Sequence, residues 1–113
     1  TDDTITLGNK VVPRTAIIQL EATTDELIDA SANTLRNLRK QLYTEPGAYV
    51  LIHSASRKNV IGDRLDEVYK LLVKETKGVP FIMPFTFGEY GYDSHSANIT
   101  GGLMLSFTVF GKN

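Results

Sequence analysis

The sequence predicts an α/β (α+β) fold: a two-layer sandwich with a mixed sheet of 4–6 strands, two main helices, and the order β(β)-α-β-α-β-β. Three observations predict it. Two stretches carry apolar residues at spacings of three and four, the period of an amphipathic helix. Between and around them lie short runs that are either alternating or continuously apolar, the patterns of half-buried and central strands. The last of these runs has one apolar face and one mixed face, so a single face is expected to be covered by both helices.

Residues 4–20 are read as strand, with Thr4–Leu7 alternating, Gly8-Asn9 as a turn dipeptide and Val11–Leu20 resuming the pattern. Pro13 has no N–H and belongs at an edge or a strand start. Thr23 then caps a helix over about 24–43, because Glu26 stands at capping-box spacing. Leu27, Ile28, Ser31, Leu35, Leu38 and Leu42 make its stripe, and Arg36, Arg39 and Lys40 lie toward the end where the helix dipole favours cations. Pro46-Gly47 ends this segment.

Ala48–Ile52 is apolar without alternation and reads as a central strand. Asp63 is expected to cap a second helix whose apolar face is Leu65, Val68, Tyr69, Leu72 and Val73, with Gly78 as the left-handed residue beyond its end. Val79–Phe87 is a strand interrupted by Pro80 and Pro84, each of which removes a ladder donor. Residues 88–102, with four glycines, read as loop. Leu103–Phe110 closes the chain as an alternating strand, expected to pair antiparallel with 79–87 because no helix separates them.

The chain has 113 residues, which bounds it to one domain with one core. Twelve Lys+Arg against thirteen Asp+Glu leave a net charge of −1, which argues against a nucleic-acid binder. There is no cysteine, so disulfides, thiol catalysis and Cys-ligated metals are excluded within it. No apolar run approaches the roughly 20 residues that span a bilayer, so no membrane partner is expected. The polar start Thr1-Asp2-Asp3-Thr4 is no signal peptide and lacks an initiator Met, so the chain is read as processed or excised from a longer protein.

Two stretches carry candidate chemistry. In Thr86-Phe87-Gly88-Glu89-Tyr90-Gly91 a strand ends in Gly-Glu and opens into a glycine-rich loop. A carboxylate there, with Thr86 and Tyr90 beside it, suits an ammonium or hydroxyl group, and glycine permits close approach of a ligand. The second stretch, His53-Ser54-Ala55-Ser56-Arg57, follows the central strand. Arg57 suits a carboxylate or phosphate, with Ser54 and Ser56 as small hydrogen-bonding neighbours. Both stretches fall at carboxyl ends of strands, where ligands of open α/β sheets bind. The expected ligand-binding residues are therefore Ser54, Arg57, Thr86, Gly88, Glu89 and Tyr90, with Arg57 and Glu89 bordering one polar cleft. His53, Ser54, Asp93 and His95 hold the residue types of a Ser–His–Asp triad but no nucleophile-elbow pattern, so no enzymatic activity is expected. Neither histidine stands at metal-ligand spacing, and no cofactor motif is present. Asn98-Ile99-Thr100 matches a glycosylation acceptor, which matters only in a secreted protein.

Val79-Pro80, the apolar run after it and Thr86-Phe87-Gly88-Glu89 resemble the hallmark of the C-terminal domain of FIST sensory proteins. There a Val-Pro segment leads to an aromatic-Thr-aromatic-Gly-Glu motif. Val50–Arg57, then Ile61-Gly62-Asp63-Arg64, is similar to that domain's apolar strand, Ser-Cys, Arg and Leu-Gly-Glu-Arg stretch, and Leu105–Gly111 resembles its last strand. Ala55 stands where Cys is common, and Met83 and Pro84 replace a glycine and an aromatic residue. The resemblance implies a cytoplasmic signal-transduction module that senses small ligands such as amino acids. It also implies an N-terminal FIST domain as neighbour in the parent chain. The alternative expectation is a non-catalytic interaction or dimerisation module whose open sheet face binds another domain or, as a homodimer, a second copy.

Overall fold

The computed structural model describes residues 3–7, 10–93 and 97–113. Helix α1 spans Thr24–Lys40, and its start is set by a complete capping box. The Glu26 N–H donates to Thr23 Oγ1 at 3.2 Å, and the Thr23 N–H donates to Glu26 Oε2 at 2.7 Å. Strand β1 is Pro46–Ser54, followed without a break by the short helix α2, Ala55–Ile61. A 3-10 turn, Gly62–Arg64, leads into helix α3, Leu65–Thr76. The expected Asp63 cap is not made: Arg64 precedes the helix and no side chain caps it, because the chain reaches α3 already coiled from the turn. After Lys77 and Gly78, both left-handed, come β2 (Phe81–Ile82) and β3 (Phe85–Thr86).

Strand β1 is central. It pairs parallel with β2 and β3 in one continuous register, Tyr49 with Phe81 and His53 with Phe85, so these are two halves of one strand. The break falls at Met83-Pro84, where a ladder donor is missing. On the other side β1 pairs antiparallel with β6, Leu105–Gly111. This corrects the expected pairing of the last strand with 79–87. The chain between them folds as a separate antiparallel hairpin, β4 (Glu89–Asp93) and β5 (Ala97–Gly101), which carries β6 to the far side of β1. The loop expected at 88–102 is therefore mostly hairpin; at that site Tyr90, Gly91 and Tyr92 alternate along β4.

Both long helices cover one face of the sheet. Ile28 and Leu35 of α1, Val68 and Leu72 of α3, and Tyr49 and Leu51 of β1 form the buried core, with Phe107 and Val109 packed against it. Arg36 of α1 and Glu75 of α3 pair at 2.6 Å near the helix ends. The two-layer reading holds, with mixed polarity on the open face. The strand expected over 4–20 is not formed by its described residues: 4–7 and 10–20 carry no strand, and residues 10–22 are exposed throughout. Pro13 and Arg14 make a turn there, and the expected Gly8-Asn9 turn lies outside the described residues.

Candidate functional site

The carboxyl ends of β1 and β3 lie side by side, with Ser54 opposite Thr86. Three backbone steps beyond β3 the chain turns through Gly88 to Glu89, the first residue of β4. On the β1 side it coils at once into α2, which puts Arg57 one turn along the helix. The candidate residues therefore come from two strand ends and meet the segment that enters β6.

That segment is the focus. Arg57 is 7% exposed; it donates from Nη2 to the Leu27 carbonyl at 2.7 Å and from Nη1 to the Leu103 carbonyl at 3.3 Å. Glu89 is fully buried; it accepts from Thr86 Oγ1 at 2.9 Å and from the Met104 N–H at 3.5 Å. The Leu103 carbonyl and the Met104 N–H belong to one peptide group. Arg57 thus meets its acceptor end and Glu89 its donor end. The Ser54 N–H donates to the next carbonyl, that of Met104, at 3.2 Å. Leu103 itself is left-handed, φ 59°, a conformation that costs a branched side chain about 1–2 kcal/mol.

Arg57 and Glu89 thus reach the same end of the sheet, both buried. Tyr90 is exposed, and its carbonyl accepts from Ser106 Oγ at 2.7 Å. Gly88 is not left-handed, and an added Cβ would meet only the Tyr90 ring at 3.9 Å, so neither conformation nor space demands glycine there. Burial pushes the Arg57 guanidinium below its usual range.

His53 is the residue that type and spacing undersold. Its ring is fully buried and sits edge-on to Phe85 at 5.4 Å between centroids. Its Nδ1 lies 3.1 Å from the Ser54 carbonyl. A carbonyl only accepts, so neutral His53 carries its proton on Nδ1, and Nε2 is an acceptor without a partner. Burial pushes its pKa down from 6.5; the Ser54 carbonyl opposes that, Arg57 adds to it, and Glu89 opposes it. The ring therefore touches the Ser54 backbone and not its hydroxyl. Of the remaining triad types, His95 lies outside the described residues, and Asp93 is described as backbone of β4. Among the described residues, no group of three His, Asp or Glu side chains could hold a metal ion. No helix among the described residues is long and apolar enough to cross a membrane.

The partners that matter here, the carbonyls of Leu27 and Leu103 and the N–H of Met104, are backbone groups. Their residue types carry no signal, so only the positive φ of Leu103, visible in the structure alone, marks the segment.

The family model of the FIST C domain matches residues 1–92, which take in Ser54, Arg57, Thr86, Gly88, Glu89 and Tyr90. No curated protein matches the chain, and no solved structure matches it.

Proposed function

The chain belongs to the FIST C domain family, a family of signal-transduction sensory domains, and on that premise we propose that it senses small amino-acid-like ligands at the carboxyl ends of β1 and β3. One observation carries this reading: Arg57 and Glu89 hold the two ends of one peptide group, that of Leu103 and Met104. A guanidinium beside an acceptor and a carboxylate beside a donor is the complement of a zwitterion. The ligand's carboxylate takes the Leu103 carbonyl's place at Arg57, and its ammonium takes the Met104 N–H's place at Glu89. Ser54, Thr86 and Tyr90 supply further polar groups around the ligand, and Gly88 joins Thr86 to Glu89 in the turn beside it.

Both contacts to the peptide are long for charge-assisted hydrogen bonds, 3.3 and 3.5 Å, against 2.7 Å from Arg57 to Leu27. They are the weaker bonds at the site, and the strained Leu103 loses little by moving. Displacing this peptide shifts the start of β6, and Arg57 links that shift to α1 through Leu27. Sensing in this form needs no catalysis, so the proposed role is non-enzymatic. The proposed setting is cytoplasmic, with the N-terminal FIST domain of the parent chain as neighbour.

Calorimetry with a panel of free amino acids, on this chain and on its parent, tests the assignment. Glu89→Gln should weaken binding at least ten-fold by removing the charge that holds the ammonium. Arg57→Lys, which keeps a cation, should weaken it less than Arg57→Ala. Unchanged affinity in Glu89→Gln and Arg57→Ala, with the fold intact by circular dichroism, would show the site to be misplaced.

A further inference from the structure

The chain exposes 8758 Å² of surface, against about 6,200 Å² for a compact monomer of this mass. Its radius of gyration is 16.1 Å, where about 13 Å is ordinary for this length. Much of the excess is the arm before α1. Val11, Val12, Ile17, Ile18 and Leu20 are 53%, 74%, 66%, 82% and 87% exposed. Among the described residues, residues 11–22 bond only within their own segment, where the Thr15 N–H and Oγ1 both donate to the Val12 carbonyl. From Thr15 to Leu20 the segment has β-branched residues and places Ala16, Ile18 and Leu20 on one face, the pattern of a half-buried strand without a sheet.

The sheet, for its part, has an edge without a strand. Among the described residues strand β6 pairs with β1 alone; it runs unbroken over Leu105–Gly111, with Ser106 Oγ bonded to the Tyr90 carbonyl of β4 near its start and Phe110 half exposed. The opposite edge is a poor template, since Pro84 splits it into two residue pairs. An unpaired apolar segment of six residues and an open edge of seven are complementary in length and chemistry. The arm does not meet the edge of its own chain. The capping box fixes the chain's entry into α1, and the molecule's longest dimension of 54 Å is twice the roughly 25 Å of α1 itself.

We propose that residues 15–20 add as a strand to the free edge of β6 in a second copy of this chain, reciprocally about a two-fold axis. A symmetric exchange uses the same arm and the same edge twice and leaves neither unpaired. The surplus surface exceeds the about 1,200–2,000 Å² that a stable pair of partners buries in total, so the exchange has enough area. This inference does not depend on the ligand site.

Sedimentation over a wide concentration range should show a monomer–dimer equilibrium. Ile18→Asp should raise the dissociation constant at least ten-fold and leave the circular dichroism unchanged. Since the chain has no cysteine, Ile18→Cys accepts a single nitroxide label. Mixing labelled, unenriched chain with unlabelled ¹⁵N chain should broaden the amide signals of residues 105–111. A monomer at every concentration overturns the proposal. So does broadening at residues 81–86, which would assign the wrong edge, or broadening seen only when label and isotope share one chain, which would mean that the arm folds onto its own sheet.

Discussion

His53 enters the folded state at a disadvantage when charged, because its ring is buried between β1 and Phe85. Its folded pKa lies below the unfolded value of 6.5, so between the two values the unfolded chain binds the extra proton. Stability therefore rises with pH in that window; it is fully present above 6.5 and is lost as pH falls from there toward the folded pKa. Thermal melts should show this loss between neutral pH and the range where carboxylates begin to titrate. Replacing His53 with Gln should flatten it, and His95→Gln serves as the control. Arg57 makes the complementary case. Removing it takes away the guanidinium's hydrogen bonds to the carbonyls of Leu27 and Leu103. Arg57→Ala should cost about 1.5–3 kcal/mol in urea denaturation, and Arg57→Lys less, since one ammonium can still keep one of the two acceptors. At this scale the sequence offered Arg57 and Glu89 by their types at strand ends. What each one holds was hidden, because backbone groups have no residue type.

At the scale of elements, the start of α1 was legible in full because a capping box is a local device whose two halves sit three residues apart. Thr23→Ala should lower stability by about 1 kcal/mol, and the melting temperature by about 4 °C. The broken strand β2/β3 was legible for a similar reason, since a proline removes its donor wherever it stands. The hairpin β4/β5 was not: its glycines and polar residues resemble loop, and its pairing becomes visible only once the two halves face each other. The arm erred the other way. Its pattern is that of a strand, but a strand needs a neighbour, and among the described residues no strand pairs with residues 11–22. The turn into β6 gives a cheap test of strain. Leu103 is half exposed at φ 59°, so Leu103→Gly should lose little packing and relieve the backbone. Denaturant melts should show no loss, and a gain of up to about 1 kcal/mol.

The whole molecule is a thin sandwich with one face built and one face open, and the architecture explains where its polar residues gather. Parallel pairing of β1 with β3 sets two carboxyl ends together, and the antiparallel β6 begins at that same end. Ser54, Arg57, Thr86 and Glu89 therefore surround the start of β6. That clustering follows from strand ends the sequence marked; the identity of the third strand was not legible, because the hairpin that carries β6 across was unseen. The most direct test is an amide-resolved titration of the ¹⁵N-labelled chain with free amino acids. The account predicts that shifts concentrate on Ser54, Thr86, Gly88, Glu89, Leu103 and Met104, with smaller ones at Leu27, and that Glu89→Gln abolishes them. Shifts confined to other surfaces, or no shift at saturating concentrations on both this chain and its parent, would contradict it.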